Sequence, residues 1–218
     1  MKQLLIASVF LGALLSLHGQ SRIKFNVHAD PQFAWFSSDE DNVVPDGSIF
    51  HIQTGLQMDF FFDENYAFAF GFGINNMGGN LLYTDSTAFY SNDDTIYVNP
   101  GQTVKHNLQY LDIPLGIKLK TEELGYATFF LEVGFNPMIN LNAKASSTDN
   151  TLSKKNIRES TNIFNLGYHA GIGVEYRLGG STAAIGGIRW SSGLTDVTDN
   201  DRANITMNAI SIHIGVLF

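Results

Sequence analysis

Acidic, basic and imidazole side chains recur at every second position of several apolar stretches in this chain. Asp112 and Glu132 could form a carboxylate pair for general acid and base chemistry if one pKa were raised, and Arg189 could bridge them. His28 and His213, together with a carboxylate, have the donor types that bind zinc. No HExxH motif or short ligand spacing accompanies the histidines, so the sequence favours a structural network of ion pairs and hydrogen bonds.

Strands must position these residues, because the alternation has a period of two. Residues 22–35, RIKFNVHADPQFAW, carry apolar side chains or proline at the odd positions and mostly polar ones at the even positions. This run is well beyond the five or six residues of an ordinary strand. Its length suits a tilted strand that crosses a bilayer, which needs roughly 9–11 residues for the apolar zone.

The same alternation recurs along the whole chain, and it predicts eight strands over residues 22–35, 48–63, 66–75, 110–120, 126–143, 163–178, 183–194 and 209–218. Tight turns are expected at 63–65, 121–125 and 179–181, and long polar loops at 37–47, 76–106, 146–162 and 195–204. We therefore expect an all-β fold, an eight-stranded antiparallel up-and-down transmembrane β-barrel with short periplasmic turns and long external loops. The second long loop has room for further β-structure above the membrane.

A soluble lipocalin-like barrel, with the apolar face around a ligand, is the alternative. The polar face is rich in glycine and alanine, which suits a crowded interior, and the apolar face holds too many large aromatics for the inside of eight strands. Several aromatics lie near strand ends, where the girdles of membrane barrels occur, namely Trp35, Phe60, Phe62, Tyr66, Phe68, Tyr126, Tyr176 and Phe218. The apolar face should therefore meet lipid, and Phe218 resembles the terminal signal read by barrel assembly machinery.

Composition excludes several function classes. The 218 residues carry a formal net charge of −8 and no cysteine. The acidic balance disfavours a nucleic-acid partner, and the lack of cysteine excludes disulfides and thiolate sites. Residues 1–19 have the short basic start, apolar run and small residue of a signal peptide, so residues 20–218 form the barrel domain and the bacterial outer membrane is the expected location.

Charged residues on the inward face should neutralise one another, since unpaired charges in a closed interior are costly. We expect no catalytic, cofactor-binding or metal-binding residue among them. The predicted lumen charge network consists of Asp59, Asp112, Lys118, Glu132, Glu175, Arg177 and Arg189.

Residues 108–120, LQYLDIPLGIKLK, resemble the Tyr-Leu-Glu-Ile-Pro motif of the PorT-like outer-membrane β-barrel family. The matching positions are Tyr110, Leu111, Asp112, Ile113 and Pro114, with Asp112 in the acidic place. The resemblance implies an eight-stranded outer-membrane barrel from bacteria that often use type IX secretion, a pathway which the family's namesake serves.

These observations predict a non-enzymatic barrel with a structural or accessory role in envelope assembly or secretion. Expected partners are outer-membrane lipid and lipopolysaccharide, the barrel assembly machinery, and an envelope or secretion protein bound through the external loops. The alternatives are a soluble ligand carrier and an enzyme acting on envelope lipids. An enzyme could use His106 with Asp93 or Asp94 at the rim, whereas the lipid face offers Tyr168 and Ser192 without an outward histidine.

Overall fold

A computed structural model describes residues 23–91, 94–149, 151–198 and 204–218. The predicted signal peptide lies outside these residues. The strands are β1 (Ile23–Ser38), β2 (Val43–Pro45), β3 (Ile49–Asp63), β4 (Tyr66–Tyr83), β5 (Thr87–Ser91), β6 (Asp94–Val98), β7 (Gln102–Asp112), β8 (Leu115–Lys120), β9 (Ala127–Ser147), β10 (Lys155–Asn156), β11 (Phe164–Gly179), β12 (Thr182–Gly193) and β13 (Ile205–Leu217). The only helical element in these ranges is a 3₁₀ turn, Arg158–Ser160. These ranges contain no helix with the length and apolar character needed to cross a membrane.

Eight antiparallel strand positions form a closed ring, as the sequence predicted. Strands β1, β3 and β4 follow one another, β7 and β8 together occupy the fourth position, and β9, β11, β12 and β13 complete the circuit. Strand β13 pairs with β1 to close the barrel. At this seam the backbones of Phe25 and Phe218 exchange hydrogen bonds of 3.0 and 2.8 Å, and their rings stack. Closure leaves no open edge in the ring, as a spanning sheet requires.

The apolar face of each strand points outward. Phe33, Phe72 and Ile172 expose between 50% and 62% of their surface, although each lies well inside its strand. The residues between them face the lumen and are mostly buried. The soluble lipocalin-like alternative is therefore wrong, because its apolar face would be enclosed.

Pro114 falls at the break between β7 and β8, and the break keeps the alternation of faces intact. Pro114 is buried on the lumen side, and its carbonyl accepts a hydrogen bond of 2.9 Å from the backbone of Gly71 on β4. A side chain at position 71 would meet the proline ring at 2.9 Å. The proline of the sequence motif and the carbonyl oxygen of Leu56 therefore leave room only for glycine at this position of β4.

Five strands extend at least three residues further than the alternation predicted. Strand β1 runs to Ser38, β4 to Tyr83 and β9 to Ser147, while β7 begins at Gln102 and β13 at Ile205. Much of the expected loop 76–106 is therefore sheet, whereas the expected loop 146–162 contributes only its first two residues and the short β10. A register shift between Gln109 and Tyr110 marks where β7 and β9 leave the regular pattern. The run of outward apolar residues ends here because these segments lie beyond the lipid. The alternation that predicts a membrane strand is therefore absent from them.

We call this part the external extension; it comprises the described residues of 36–47, 76–109, 142–162 and 195–208. Its interior is apolar, and the buried side chains include Phe36, Met77, Leu81, Tyr83, Phe89, Val98, Val104, Leu108, Leu152, Ile157, Val197, Ile205 and Met207. The hairpin of β5 and β6 contributes Phe89 and Val98 to this core, and the backbone nitrogen of Tyr90 bonds the Ser160 hydroxyl at 2.9 Å. The extension is thus a packed structure, with a core like that of a water-soluble domain.

Candidate functional site: the barrel lumen

The lumen near the periplasmic turns is organised around one buried lysine. Lys118 on β8 contacts Asp59 of β3 at 2.7 Å and Glu175 of β11 at 2.9 Å, and it lies over the ring of Phe130. Lys120 forms a second ion pair with Glu175. Alternate residues of β8 point inward, and each of these lysines contacts an acid two strand positions away in the ring. These contacts tie three strand positions together beside a small apolar cluster of Phe130, Ala183, Ile185 and Leu217.

Halfway along the lumen, Glu132 of β9 is the centre of a second cluster. Arg189 of β12 donates to one of its oxygens at 2.8 Å and Gln57 of β3 to the other at 2.9 Å. His169 of β11 lies 3.3 Å from the same carboxylate. All four side chains are buried, so the guanidinium supplies the charge that the carboxylate needs away from bulk solvent.

Asp30 of β1 lies between two histidines on the strands that close the barrel. The Nδ1 atoms of His28 and His213 lie 3.1 and 2.9 Å from its Oδ2, and the imidazole rings are 5.0 Å apart. Arg189 approaches the same oxygen at 4.0 Å. A Cβ at Gly55 would lie 2.7 Å from Nε2 of His28, so glycine on β3 makes room for this ring.

These three side chains have the donor types of a metal site, because their ligand atoms lie within 4.8 Å of one another. The hydrogen-bond geometry gives them another role. With Nδ1 protonated, both imidazoles donate to Asp30, and the backbone nitrogen of Ile214 donates to its second oxygen at 3.3 Å. The cluster therefore links the first and last strands without needing an ion.

Asp112, the acidic residue of the sequence motif, is held by amides. Asn136 donates to both of its oxygens at 3.0 and 3.1 Å, and Gln53 and Asn75 donate to Oδ2 at 2.9 and 3.4 Å. Asn136 also contacts His169 at 2.6 Å, which connects this group to the Glu132 cluster. A carboxylate surrounded by side-chain donors is an anchor for four strand positions.

The structure changes two details of the predicted lumen network. Arg189 was expected to bridge Asp112 and Glu132, and that expectation is wrong, because its contacts are to Glu132 and Asp30. Arg177 was expected inside, but its side chain is 52% exposed and pairs with Glu123 at a periplasmic turn. The other predicted members are all buried, namely Asp59, Asp112, Lys118, Glu132, Glu175 and Arg189.

Sequence reasoning missed the amides that satisfy the carboxylates, chiefly Gln53, Gln57, Asn75 and Asn136. Each lies on the inward side of its strand, and each is buried. Their inward position can be predicted from the sequence, because it follows from the alternation along each strand. Which carboxylate each amide contacts depends on the stagger between strands. A prediction based on charged residues alone therefore omits the amides that hydrogen-bond the buried carboxylates.

The residues considered for enzymatic chemistry do not assemble into a site. His106 is buried among Phe36, Tyr83 and Phe89, and its Nε2 lies 3.2 Å from the Tyr83 hydroxyl. Burial lowers the pKa of His106 to about 4 and raises that of Tyr83, so both are neutral at pH 7. Asp93 and the side chain of Asp94 lie outside the described part of the chain.

On the lipid face, Tyr168 packs against Trp190 with ring centroids 5.3 Å apart. It lies in register with Ser192 on the neighbouring strand. Neither residue has a base beside it among the described residues that face outward. Tyr168 therefore packs on the lipid face, and neither Tyr168 nor Ser192 has the arrangement of a catalytic residue.

Comparison with known proteins identifies the type of barrel. The family model described as "Outer membrane protein beta-barrel domain" matches residues 11–199. None of the curated proteins matches the chain. Neisserial surface protein A shares the fold with a TM-score of 0.50 and 13% identity, over 92% of this chain and 98% of that one. OprG from Pseudomonas aeruginosa gives a TM-score of 0.45 and 12% identity, over 91% and 96% of the two chains.

Proposed function

Since this chain belongs to the outer membrane protein beta-barrel domain family and lies in the bacterial outer membrane, we propose that it is a non-conducting, non-enzymatic barrel that acts through its external extension. The proposed role is structural or accessory, in envelope assembly or protein secretion. An envelope or secretion protein is the proposed partner.

The observation that carries this proposal is the filling of the barrel along its length. Charged side chains occupy the periplasmic half, amides follow around Asp112, and the apolar core that includes Met77 and Met138 closes the external half. An eight-stranded barrel has room inside only for side chains or one small ligand. The contents therefore support a scaffold in preference to a channel.

The external extension offers an exposed surface for a partner. The hairpin of β5 and β6 stands on the apolar core and exposes 53% of Tyr90 and 64% of Tyr97. Tyrosine is enriched at protein interfaces because it supplies a large contact area with few rotatable bonds. The proposed binding surface is therefore the β5 and β6 hairpin.

The Tyr110 to Pro114 motif supports a more specific proposal, that the chain is a PorT-like protein associated with secretion. Asp112 and Pro114 of this motif hold the fold, through amide contacts and packing against Gly71 respectively. Because these motif residues are structural, the motif is evidence for a shared barrel fold. The proposed secretion role rests on the resemblance to the PorT-like family. The assembly machinery is a further proposed partner, through Phe218 at the end of the closing strand.

A deletion strain tests the role. We expect loss of the protein to change the amounts of secreted or outer-membrane proteins, and expression of the wild type to restore them. A variant with Tyr90→Ser and Tyr97→Ser should insert normally but fail to restore them, whereas Arg177→Gln at the periplasmic end should succeed. An unchanged envelope and secreted fraction in the deletion strain would refute an accessory role.

Two further measurements separate the alternatives. Purified protein in planar bilayers should give no steady conductance above background, and open channels would contradict the filled lumen. Mass spectra of envelope lipids from the deletion strain should match those of the parent. A lipid species that changes with the deletion and returns with the wild-type gene would instead support the enzyme alternative.

A further inference from the structure

Basic side chains outside the barrel lumen gather on one side of the external extension. We call this group the external basic face; it consists of Lys105 on β7, Lys144 on β9, Lys154, and Arg158 in the 3₁₀ turn. All four are exposed. Of the carboxylates of the first external loop, Asp46 lies next to Thr103 on β7, whereas Asp39 accepts a hydrogen bond from the backbone nitrogen of Asn204, next to β13.

The strand pairing brings these cations together. Lys105 lies in register with Ser146, so Lys144 is its diagonal neighbour, at a Cβ distance of about 7–8 Å. Lys144 lies in register with Asn156 of β10, and the backbone nitrogen of Lys154 bonds the Ser146 hydroxyl at 3.1 Å. Ser146 and Asn156 are thus the polar residues that lie between the four basic side chains.

No ion pair neutralises this face within the part of the chain that the structure describes. Every cation with a carboxylate within 4.0 Å there belongs to the lumen or to the periplasmic turns. Glu159 lines the hollow beside Arg158, and the carboxylate of Asp46 accepts a hydrogen bond of 2.6 Å from the hydroxyl of Thr103, two residues before Lys105. Four cations against these two acids leave a net positive field that suits an anionic ligand.

A hollow next to the basic face is amphipathic. It has a volume of about 260 Å³ and is lined by Asn156, Arg158, Glu159 and Ile163. Ile163 is 60% exposed, and its carbonyl accepts a hydrogen bond from Asn140 directly below. The next outward residues toward the membrane, Ile139 and Phe164, are a cross-strand pair on the lipid face. The hollow therefore joins the top of the apolar belt to the cations.

The height of the basic face matches the headgroup layer of the outer leaflet. Leu141 is the last apolar residue that β9 turns toward lipid, and Lys144 comes three residues later. At about 3.3 Å per residue, and with the strand tilted, this places Lys144 less than about 10 Å above the apolar zone. A lysine side chain at that level can reach lipid phosphates.

We propose that the external basic face and its hollow bind a phosphate-bearing glycolipid of the outer leaflet, the lipid A part of lipopolysaccharide. Lys144 and Arg158 pair with its phosphates, and Ile163 contacts the adjoining acyl chain. Lys105 and Lys154 add positive field on either side. This site needs no protein partner, so it is independent of the role proposed above.

The test measures which lipid stays with the protein. The full chain is inserted into phosphatidylcholine nanodiscs that contain a small fraction of bisphosphorylated or dephosphorylated lipid A, and bound lipid is quantified by mass spectrometry. Wild-type protein should retain the bisphosphorylated form. Lys144→Gln with Arg158→Gln should weaken retention about tenfold, since each cation near an anionic surface adds to the attraction.

A matched variant removes two cations from the opposite end of the barrel, through Lys24→Gln with Arg177→Gln. It has the same net charge as the test variant and should retain lipid A like the wild type. Heat-dependent gel migration shows whether each variant folds. Equal loss in both variants, or no loss in the Lys144 and Arg158 variant, would refute the site.

Inorganic phosphate separates a lipid site from a site for free phosphate. Millimolar phosphate should leave the bound lipid A in place, because Ile163 and the membrane hold the acyl chains. Displacement of lipid A at these concentrations would overturn the assignment of a lipid ligand.

Discussion

The lumen within the membrane and the interior of the external extension are built in opposite ways on the same strands. In the membrane the inside is polar, with Lys118, Glu132 and Arg189 buried, and the outside is apolar. In the extension the inside is apolar, with Leu81 and Ile157 fully buried, and the outside is polar. The difference shows that the surrounding phase decides which face of a strand is apolar.

Strand β4 carries both arrangements. Its inward residues begin with Ala67 and Ala69, pass through Asn75, and end with Leu81 and Tyr83. Lipid surrounds the first part with an apolar phase, and inside it ion pairs and hydrogen bonds fix the strands beside a small apolar cluster. Water surrounds the second part, and there the hydrophobic effect can stabilise a core.

The largest effect should come from removing the lumen's central cation. Arg189→Met would leave Glu132 and Asp30 without a guanidinium in a buried region, at a cost of about 3–5 kcal/mol. Urea unfolding of the vesicle-inserted protein measures this loss. Arg177→Met, at an exposed pair, should cost below about 1 kcal/mol. Equal effects for both arginines would contradict the buried network.

Truncation of the external core should have a smaller and more local effect. Leu81→Ala removes a side chain that is 1% exposed and should destabilise the extension by about 3 kcal/mol. Limited proteolysis should then cut the extension faster, while the heat-dependent gel shift of the barrel remains. Loss of the gel shift would show that the two regions fold as one cooperative unit.

Acidification should act on the extension through His106. Its pKa is about 4 when folded and near 6.5 when unfolded, so the unfolded state binds more protons between these values. Stability is therefore complete above about pH 6.5 and falls as the pH drops toward 4, by about 2 kcal/mol at pH 5. Protease sensitivity of the extension at pH 7.5 and pH 5 measures this change.

A control variant isolates the histidine in that experiment. His106→Gln keeps a side chain that can bond the Tyr83 hydroxyl but has no proton to gain. The difference between pH 7.5 and pH 5 should shrink in this variant. A difference of the same size would assign the pH dependence to other groups.

The smallest effect should come from the surface of the hairpin. Tyr97→Ser changes a residue that is 64% exposed, so stability should change by no more than about 0.5 kcal/mol. Thermal unfolding checks this, with Phe89→Ser on the buried side of the same hairpin as the contrasting variant. A large loss in the Tyr97 variant would show that this side chain supports the core.

The outward face could be predicted residue by residue, but the interior could not. Alternation alone indicated that Phe33, Phe72 and Ile172 face out and that Lys118 and Glu132 face in, because parity is a local property of a strand. Of the two partners predicted for Arg189, Glu132 was correct and Asp112 was wrong, since the second contact depends on the stagger between β7 and β12. The buried position of His106 was also missed, because no lipid-facing alternation marks the extension.

The sequence by itself determined the number of membrane strands, their inward and outward faces and the alternation of short and long connections, all of which follow from a period-two pattern read along one strand. The tertiary structure alone decided which buried groups meet, such as Asp112 with Asn136 and Asp30 with His213. These contacts join residues far apart in the chain, and they arise only when the ring closes with one particular register. The physical reason is that facing direction depends on a residue's neighbours in sequence, whereas pairing across a lumen depends on the stagger of every strand around the barrel.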